Sequence, residues 1–271
     1  MPALRTVYAW ELRKLLAQKR TYLGLGMAVA IPLIFTIALL VQSGQPNDVA
    51  FGRYVRQSGL AVPPVLLIFG SIWLFPLIAA LVAGDIVAAE DNNGTLKTIL
   101  TRSTDRSRIF AAKALAAATY AFVALIAMGT VALVAGIAVS GLHPLVTLSG
   151  TTVSAGKGIE LIAASLLVYM LPLLGIVAIA LLLSVVTHNS AAAVVGALMI
   201  SLILQLVTIL PGLGALHPYL LTTQFNAWQG FLRTPVDYAP VVRAVWVCSA
   251  YAIPAVAVAF ASFMRRDVTG G

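Results

Sequence analysis

Side chains able to do catalytic or metal chemistry are few and scattered. His143, His188 and His217 form no His-x3-His or Glu-x2-His pattern, and the chain has a single cysteine, so the spacing predicts no metal site. Ser140 and Ser149 each precede a glycine but lack the leading glycine of a Gly-x-Ser-Gly nucleophile turn. That pattern disfavours an intramembrane serine protease, because no deep histidine follows to act as the base.

A phosphate-binding loop is also missing from the sequence. The nearest approach runs from Gly150 to Lys157 and Gly158, where the glycine spacing is one residue too long and no hydroxyl follows the lysine to hold magnesium. The chain is therefore predicted to have no catalytic residue and no cofactor of its own. Any ATP and Mg²⁺ would be bound by another polypeptide.

One polar stretch interrupts an otherwise apolar chain, from Glu90 to Lys113. Acidic residues stand at its start and basic residues at its end, and Asp91 or Asn93 could cap a short helix whose macrodipole this order complements. The helix would carry an apolar strip made of Leu96, Ile99 and Leu100. The residues alone leave two roles open: resting on lipid or on the protein's own helix ends, or docking on a partner.

The composition requires a membrane around the rest of the chain. Of its 271 residues, 61% are hydrophobic and 10% charged, with a mean hydropathy of +0.99. Soluble domains carry about 25% charged residues, so this chain cannot cover itself with a solvated surface. Its polar segments are too short to fold as a separate soluble domain, and a single membrane domain over 1–271 is predicted.

Six stretches are long enough to cross a bilayer as helices, and none shows the two-residue alternation of a barrel. They are roughly 21–42, 62–88, 109–140, 160–186, 190–210 and 240–263. Prolines inside them are expected to kink the helices rather than break them. With the N-terminus inside, twelve Lys and Arg residues fall on inner segments and five on outer ones. This bias predicts both termini in the cytoplasm. The basic residues lie in segments close to the membrane, which favours attraction to anionic lipid over nucleic-acid binding.

Two segments are predicted not to span. Residues 1–20 place Leu4, Val7, Tyr8, Leu12 and Leu15 on one face, as in an interfacial helix. Glu11 falls on that apolar face and needs a partner, which could be Lys14, Lys19 or a basic residue of the inner loop. Residues 211–239 are aromatic and broken by proline, which predicts an outer-face helix or re-entrant turn at headgroup depth.

Polar and aromatic residues within the spans are candidates for a transport path. Phe69, Trp73 and Leu77 recur every four residues and would form an apolar stripe. Gln205 lies in mid-span, and two hydroxyl side chains, Ser201 and Thr208, stand near its face. For both sets, packing between helices is the alternative. No chain of carboxylates crosses the membrane, which disfavours an ion-coupled carrier and favours an amphipathic or hydrophobic cargo.

The polar stretch resembles the family of ABC-2 transporter permeases. Members carry Glu, three residues, Gly-Thr-Leu, a short helix, a Pro-x-Ser-Arg turn and a Lys seven residues later. The matching residues here are Glu90, Gly94, Thr95, Leu96, Arg106 and Lys113. Ser103 and Asp105 depart from the turn pattern. The N-terminal Trp10, Glu11, Arg13 and Lys14 are similar to the family's interfacial elbow helix.

The resemblance implies an all-α pore subunit in the cell membrane. Two copies, or this chain and a paralogue, would pair with two cytoplasmic ABC ATPases, and residues 91–101 would be the coupling helix that fits a groove on the ATPase. The residues implied in that contact are Glu90, Asp91, Gly94, Thr95, Leu96, Lys97, Ile99, Leu100 and Arg106. The second and fifth spans would line the path. The alternatives are a secondary carrier or an intramembrane enzyme that acts without ATP.

Overall fold

The computed structural model describes residues 3–41, 49–94 and 105–265, without the side chain of Pro211. This part of the chain is almost entirely helical. Its α-helices are α1 (Leu4–Leu16), α2 (Lys19–Val41), α3 (Val62–Gly70), α4 (Leu74–Ala83), α5 (Ala88–Asn92), α6 (Arg106–Ser140), α7 (Ala155–Thr187), α8 (Ser190–Val207) and α9 (Ala239–Met264). Short 3-10 helices span Gly52–Tyr54, Gly59–Ala61, Pro211–Tyr219 and Thr222–Leu232. Its strands are β1 (Leu145–Val146) and β2 (Thr152–Val153), which pair antiparallel.

The described helices make this an α-helical, multi-pass membrane protein. Five of them, α2, α6, α7, α8 and α9, are long and apolar enough to cross a bilayer, and α3 with α4 adds a sixth if the bent pair counts as one span. The predicted fold class is confirmed at this level. Pro32, Pro172 and Pro254 lie inside unbroken helices, as expected where neighbouring helices re-satisfy the freed backbone groups.

The second predicted span, 62–88, is wrong as one continuous helix. It is divided into α3 and α4, with a bend of 64° and a break at residues 71–73. Pro76 is consistent with the position of the break, because it has no N–H to donate to the carbonyl of Ile72 and lies in the first turn of α4, where a helix needs no such bond. The proline thus begins a new helix instead of kinking an existing one.

The ends of three spanning helices are set by short polar side chains. The side chains of Asp105, Ser154 and Asn189 accept hydrogen bonds from backbone N–H groups in the first turns of α6, α7 and α8. Such caps satisfy donors that have no partner inside the helix. Between α7 and α8, His188 adopts a left-handed conformation with φ of 55°, so the chain reverses direction within two residues.

Helix α7 is the centre of the bundle. In its most apolar window 56% of residues are buried, against 17% in α8. It packs against α4, α6, α8, α9 and the Thr222–Leu232 segment. Because α8 has so little cover within the chain, most of its apolar surface faces outward.

Loops at one end of the bundle form a packed cap, defined as residues 49–61, 141–153 and 211–238. The hydroxyl of Ser58 donates to the carbonyl of His143 at 2.8 Å, and the Leu148 N–H donates to the carbonyl of Leu232 at 2.8 Å. A Cβ on Gly59 would overlap the backbone of Gly136 in α6, so glycine is what lets these two segments touch.

The aromatic residues of 211–239 lie deeper than their composition suggests. Phe225 and Trp228 are fully buried. Trp228 stacks on Phe51 with ring centroids 6.3 Å apart, and Phe225 packs against Tyr169 of α7 at 4.9 Å. The segment consists of two 3-10 helices rather than one α-helix, and these two side chains anchor the cap to the core.

Candidate functional site

The other end of the bundle holds a buried cluster of charges centred on Lys113 of α6. This side chain is 0% exposed. Its ammonium donates to Glu11 Oε2 at 3.0 Å and to the Ile86 carbonyl at 3.0 Å, and lies 2.7 Å from Glu90 Oε1. A lysine has three donors, and each has an acceptor here. That complete set is why a charge can be buried at this position.

Lys14 closes the cluster from the α1 side. Its ammonium donates to Glu11 Oε1 at 2.9 Å and to Glu90 Oε1 at 2.8 Å. Each glutamate therefore bridges both lysines, and the four side chains together carry no net charge. The cluster joins α1 to α5 and α6, which lie more than 70 residues later in the sequence.

Residues 85–94, called the junction here, are fastened to further helices on either side of this cluster. Asp85, 1% exposed, is paired with Arg20 at the start of α2. The backbone N–H groups of Val87 and Ala88 donate to Ser184 Oγ of α7 at 3.2 and 3.0 Å. The junction thus contacts α1, α2, α6 and α7 within a few residues.

The last turn of the junction leads into residues 95–104, which lie outside the described chain. Asp91 is paired with His188 in the turn between α7 and α8. Gly94 has a φ of +66°, a left-handed conformation that glycine adopts without steric cost. It follows α5 directly, and its N–H donates to the Asp91 carbonyl at 3.0 Å. Asp91 itself is inside α5 and is not the N-cap of a later helix.

Electrostatics hold the cluster in its charged form. Burial by itself would raise the pKa of Glu90, but the charges and hydrogen bonds of Lys113 and Lys14 outweigh it and lower that pKa below 4.5. Burial would likewise lower the pKa of Lys14, but Glu90 and Glu11 outweigh it and raise that pKa above 10.5. Both groups are therefore ionised at neutral pH.

The chain re-enters the described region beside the C-terminal helix. Arg106 donates to the Met264 carbonyl at 3.2 Å. One turn later Phe110 packs against Phe260 and Phe263 of α9, with ring centroids 5.4 and 5.6 Å away. The described chain thus ends in the junction before residue 95 and resumes at residue 105, just before the start of α6, which contacts α9.

The predicted coupling residues are only partly described. Glu90, Asp91, Gly94 and Arg106 occupy the positions given above. The others lie outside the described residues; they are Thr95, Leu96, Lys97, Ile99 and Leu100. Their contact with an ATPase stays a prediction.

The predicted elbow residues divide between the two faces of α1. Glu11 is buried in the cluster, and Val7 and Leu15 are buried with it against the bundle, where α1 packs on α6. Trp10 is 47% exposed, and Arg13 is exposed as well. The apolar face thus packs on protein, and the partner that Glu11 needs is both Lys14 and Lys113.

Two of the predicted path residues meet at the break between α3 and α4. Phe69 and Trp73 line an open apolar groove of about 210 Å³ together with Ile31 of α2 and Met128 of α6. Leu77 is half-buried on α4 and is not part of its lining. Because the helix breaks at residues 71–73, the four-residue spacing does not produce a straight stripe.

The polar path residues on α8 and at its C-terminal end do not line this groove. Ser201 is buried, whereas Gln205 and Thr208 are half-buried. The Thr208 hydroxyl donates to the Gln205 carbonyl at 2.6 Å. Within one chain the two predicted sets therefore do not share a pocket.

Several residues of the site were missing from the predicted set. Lys113 was recognised only as part of the motif and Arg20 only as a basic residue after the elbow helix, whereas Ser184 and His188 had no signal in the local sequence. The position of Glu11 on an apolar face was a clue to a buried ion pair, as was Asp85 near the inner end of the second predicted span. Among the described residues, no three His, Cys, Asp or Glu side chains come close enough to share a metal ion.

The chain matches a protein-family model over most of its length. A family model described as "Protein of unknown function (DUF2705)" matches residues 25–269, nearly the whole chain. None of the curated proteins compared with the chain matches it.

Proposed function

The chain belongs to the DUF2705 family, and from its own residues we propose that it is the membrane-spanning permease subunit of an ATP-driven exporter. Separate cytoplasmic ATPase subunits would bind residues 91–101 and supply the energy. The chain itself would act as a transporter subunit and not as an enzyme.

The observation that carries the proposal is the junction. Residues 85–94 include the first residues of the predicted ATPase contact, and their side chains and backbone are bonded to α1, α2, α6 and α7. A force applied to residues 95–101 therefore reaches four helices through short, strong contacts. A loop resting passively on lipid would need no such connections.

The same proposal gives roles to the other elements. Helix α1 is the elbow helix at the cytoplasmic surface, and α3 with α4 is one broken span, which makes six spans with both termini inside. The 211–239 segment is then on the outer side. Two copies, or this chain and a paralogue, form the path between them, with the broken span and α8 facing each other.

Nucleotide would act by shifting a two-state equilibrium. Closure of the ATPases favours one position of residues 91–101, and a ligand can bias a conformational equilibrium only through such a differential contact. The groove at Phe69 and Trp73 sits beside the broken helix and is apolar. It supports an amphipathic or hydrophobic cargo, such as a drug, a lipid or a peptide.

The test is assembly with an ATPase. The tagged chain is co-expressed with ATP-binding-cassette ATPases of its own genome, beginning with any encoded beside its gene. Co-purification and ATP hydrolysis in lipid nanodiscs are then measured. The double substitution Leu96→Asp and Leu100→Asp is expected to abolish both, because it places two charges on the predicted apolar docking strip.

A matched control carries the same change at the cap. Leu213 and Leu216 are exposed there, and replacing both by Asp is expected to leave ATPase binding intact. Both variants must reach the membrane in wild-type amounts. ATPase binding and ATP hydrolysis that survive the Leu96/Leu100 change would refute the coupling role, and transport without any ATPase would refute the exporter.

A further inference from the structure

A polar pocket in the cap has no role in the proposed function. It has a volume of about 190 Å³ and lies between the 3-10 segments Pro211–Tyr219 and Thr222–Leu232 and the first turn of α9. Two arginines, Arg233 and Arg243, are among its lining residues. Its position at the end of a spanning helix distinguishes it from the apolar groove in the middle of the bundle.

The pocket carries uncompensated positive charge. Arg233 has one carboxylate partner, Asp237 at 3.7 Å, and both side chains are more than a third exposed, so this pair is weak. Within the part of the chain that the structure describes, Arg243 makes no hydrogen bond or ion pair. The lining itself contains no acidic residue.

Neutral hydrogen-bond donors complete the lining. The Thr223 hydroxyl is buried, with no hydrogen-bond partner among the described residues. Asn226 Oδ1 accepts from Gln229 at 3.1 Å, which leaves the Asn226 amide nitrogen to donate. A pocket lined by two arginines and by neutral donors suits the oxygens of a phosphate group, because guanidinium groups bind phosphate through paired hydrogen bonds.

The surroundings place this pocket at headgroup depth. Tyr219, beside the lining residue Pro218, packs against Trp246 of α9 at 5.7 Å, and both rings are about half exposed. Exposed Tyr and Trp near the end of a spanning helix are typical of the membrane–water interface. Val242 and Val245, next to Arg243 on α9, are also exposed, which provides an apolar surface for acyl chains.

We propose that Arg233 and Arg243 form a binding site for the phosphate of an anionic phospholipid in the leaflet at the cap end. The lipid phosphate occupies the pocket between the two guanidinium groups, and its acyl chains lie along the outer face of α9. This site is independent of the ATPase contact and exists whether or not the protein is an exporter.

The experiment measures lipid binding to the full-length chain in detergent by native mass spectrometry. The probes are dioleoylphosphatidylglycerol, dioleoylphosphatidylcholine and inorganic phosphate. We expect tight retention of phosphatidylglycerol by the wild type, weaker retention of phosphatidylcholine, and no competition from millimolar inorganic phosphate. Arg233→Gln with Arg243→Gln is expected to weaken phosphatidylglycerol binding at least tenfold.

The control variant removes two positive charges from the same end at exposed positions outside the pocket, Arg53→Gln with Lys157→Gln. It should bind phosphatidylglycerol like the wild type, and both variants should keep the wild-type melting temperature without lipid. Equal losses in the two double variants would mean non-specific charge attraction and overturn the proposal. Displacement by inorganic phosphate would overturn the lipid assignment, and undiminished binding to the Arg233/Arg243 variant would overturn the site.

Discussion

The two ends of the bundle are held by different interactions. At the end that contains the junction, the main buried interaction is electrostatic: Lys113 is fully buried and lies between Glu11 and Glu90. At the cap the fully buried side chains are apolar and aromatic, with Trp228 and Phe225 packed against Phe51 and Tyr169. The bundle is thus held by buried ion pairs at one end and by apolar packing at the other.

The two ends should therefore respond to different substitutions, one to loss of charge and the other to loss of side-chain volume. An ion pair that has lost one partner leaves a buried charge without compensation. Removing one charged side chain from the buried cluster should therefore be strongly destabilising. A packed aromatic core responds to lost volume and not to pH or charge. The ATPase-coupling role proposed for residues 91–101 falls at the end of the bundle where stability depends most on charge.

Removing the central ammonium should produce the largest effect. Lys113→Met leaves Glu11 and Glu90 buried with only Lys14 to neutralise them, and a broken buried ion pair costs about 3–5 kcal/mol. The free energy of unfolding in mixed detergent micelles measures this loss. Adding Glu11→Gln should recover part of it, because Lys14 and Glu90 remain as a neutral pair.

Lys157→Met is the matched control for that prediction. It also removes a lysine from a Lys–Glu pair, at 2.8 Å from Glu160, but both side chains are largely exposed. Its unfolding free energy should stay at the wild-type value. If both lysine variants lose equal stability, the distinction between a buried junction and ordinary surface pairs is wrong.

Loss of volume in the cap should have a smaller effect. Leu221 is fully buried, and a Cβ on Gly175 of α7 would lie 2.6 Å from its side chain. Leu221→Ala removes this contact and leaves a cavity, which costs about 2–5 kcal/mol. The loss should be the same at every pH. Leu213→Ala, 37% exposed in the same cap, should cost little, and equal losses for the two would contradict a packed cap.

The smallest expected effect is the change in the free energy of unfolding with pH, through Glu90 and Lys14. The lowered pKa of Glu90 stabilises the fold above its ordinary value of 4.5, and this contribution is lost as pH falls through the folded value. The raised pKa of Lys14 stabilises the fold below 10.5, and that contribution is lost as pH rises through its folded value. The stability difference between wild type and Glu90→Gln should therefore be constant from about pH 4.5 to 10.5 and shrink below it. A difference that grows in acid would show that Glu90 is not held ionised by its lysines.

The sequence predicted most of the helices because a bilayer imposes a simple rule. Apolar stretches of the necessary length have no alternative to a helix in lipid, and α2, α6, α7, α8 and α9 lie where such stretches occur. The break before Pro76 was not predicted. Local sequence allows either a kink or a new helix at a proline. Here a new helix, α4, begins, and it packs against α7 and α8.

The candidate site was predictable only in outline. The misplaced Glu11 signalled a buried partner, and the Glu90 to Lys113 spacing marked the region through a family resemblance. The actual partners come from helices more than 70 residues apart in some cases, as with Lys14 and Glu90. Contacts of that range depend on how helices pack, for which a single sequence carries no periodic signal.

By itself the sequence determined that this chain enters a membrane as helices, because too few polar residues exist to solvate it. It also determined where a polar stretch interrupts the apolar chain. Only the tertiary structure decided that Lys113 takes all three of its acceptors from α1 and the junction, and that Trp228 lies in the core and not at the surface. Burial of a charge or of an aromatic ring depends on neighbours supplied by distant segments, and the folded arrangement alone brings those neighbours together.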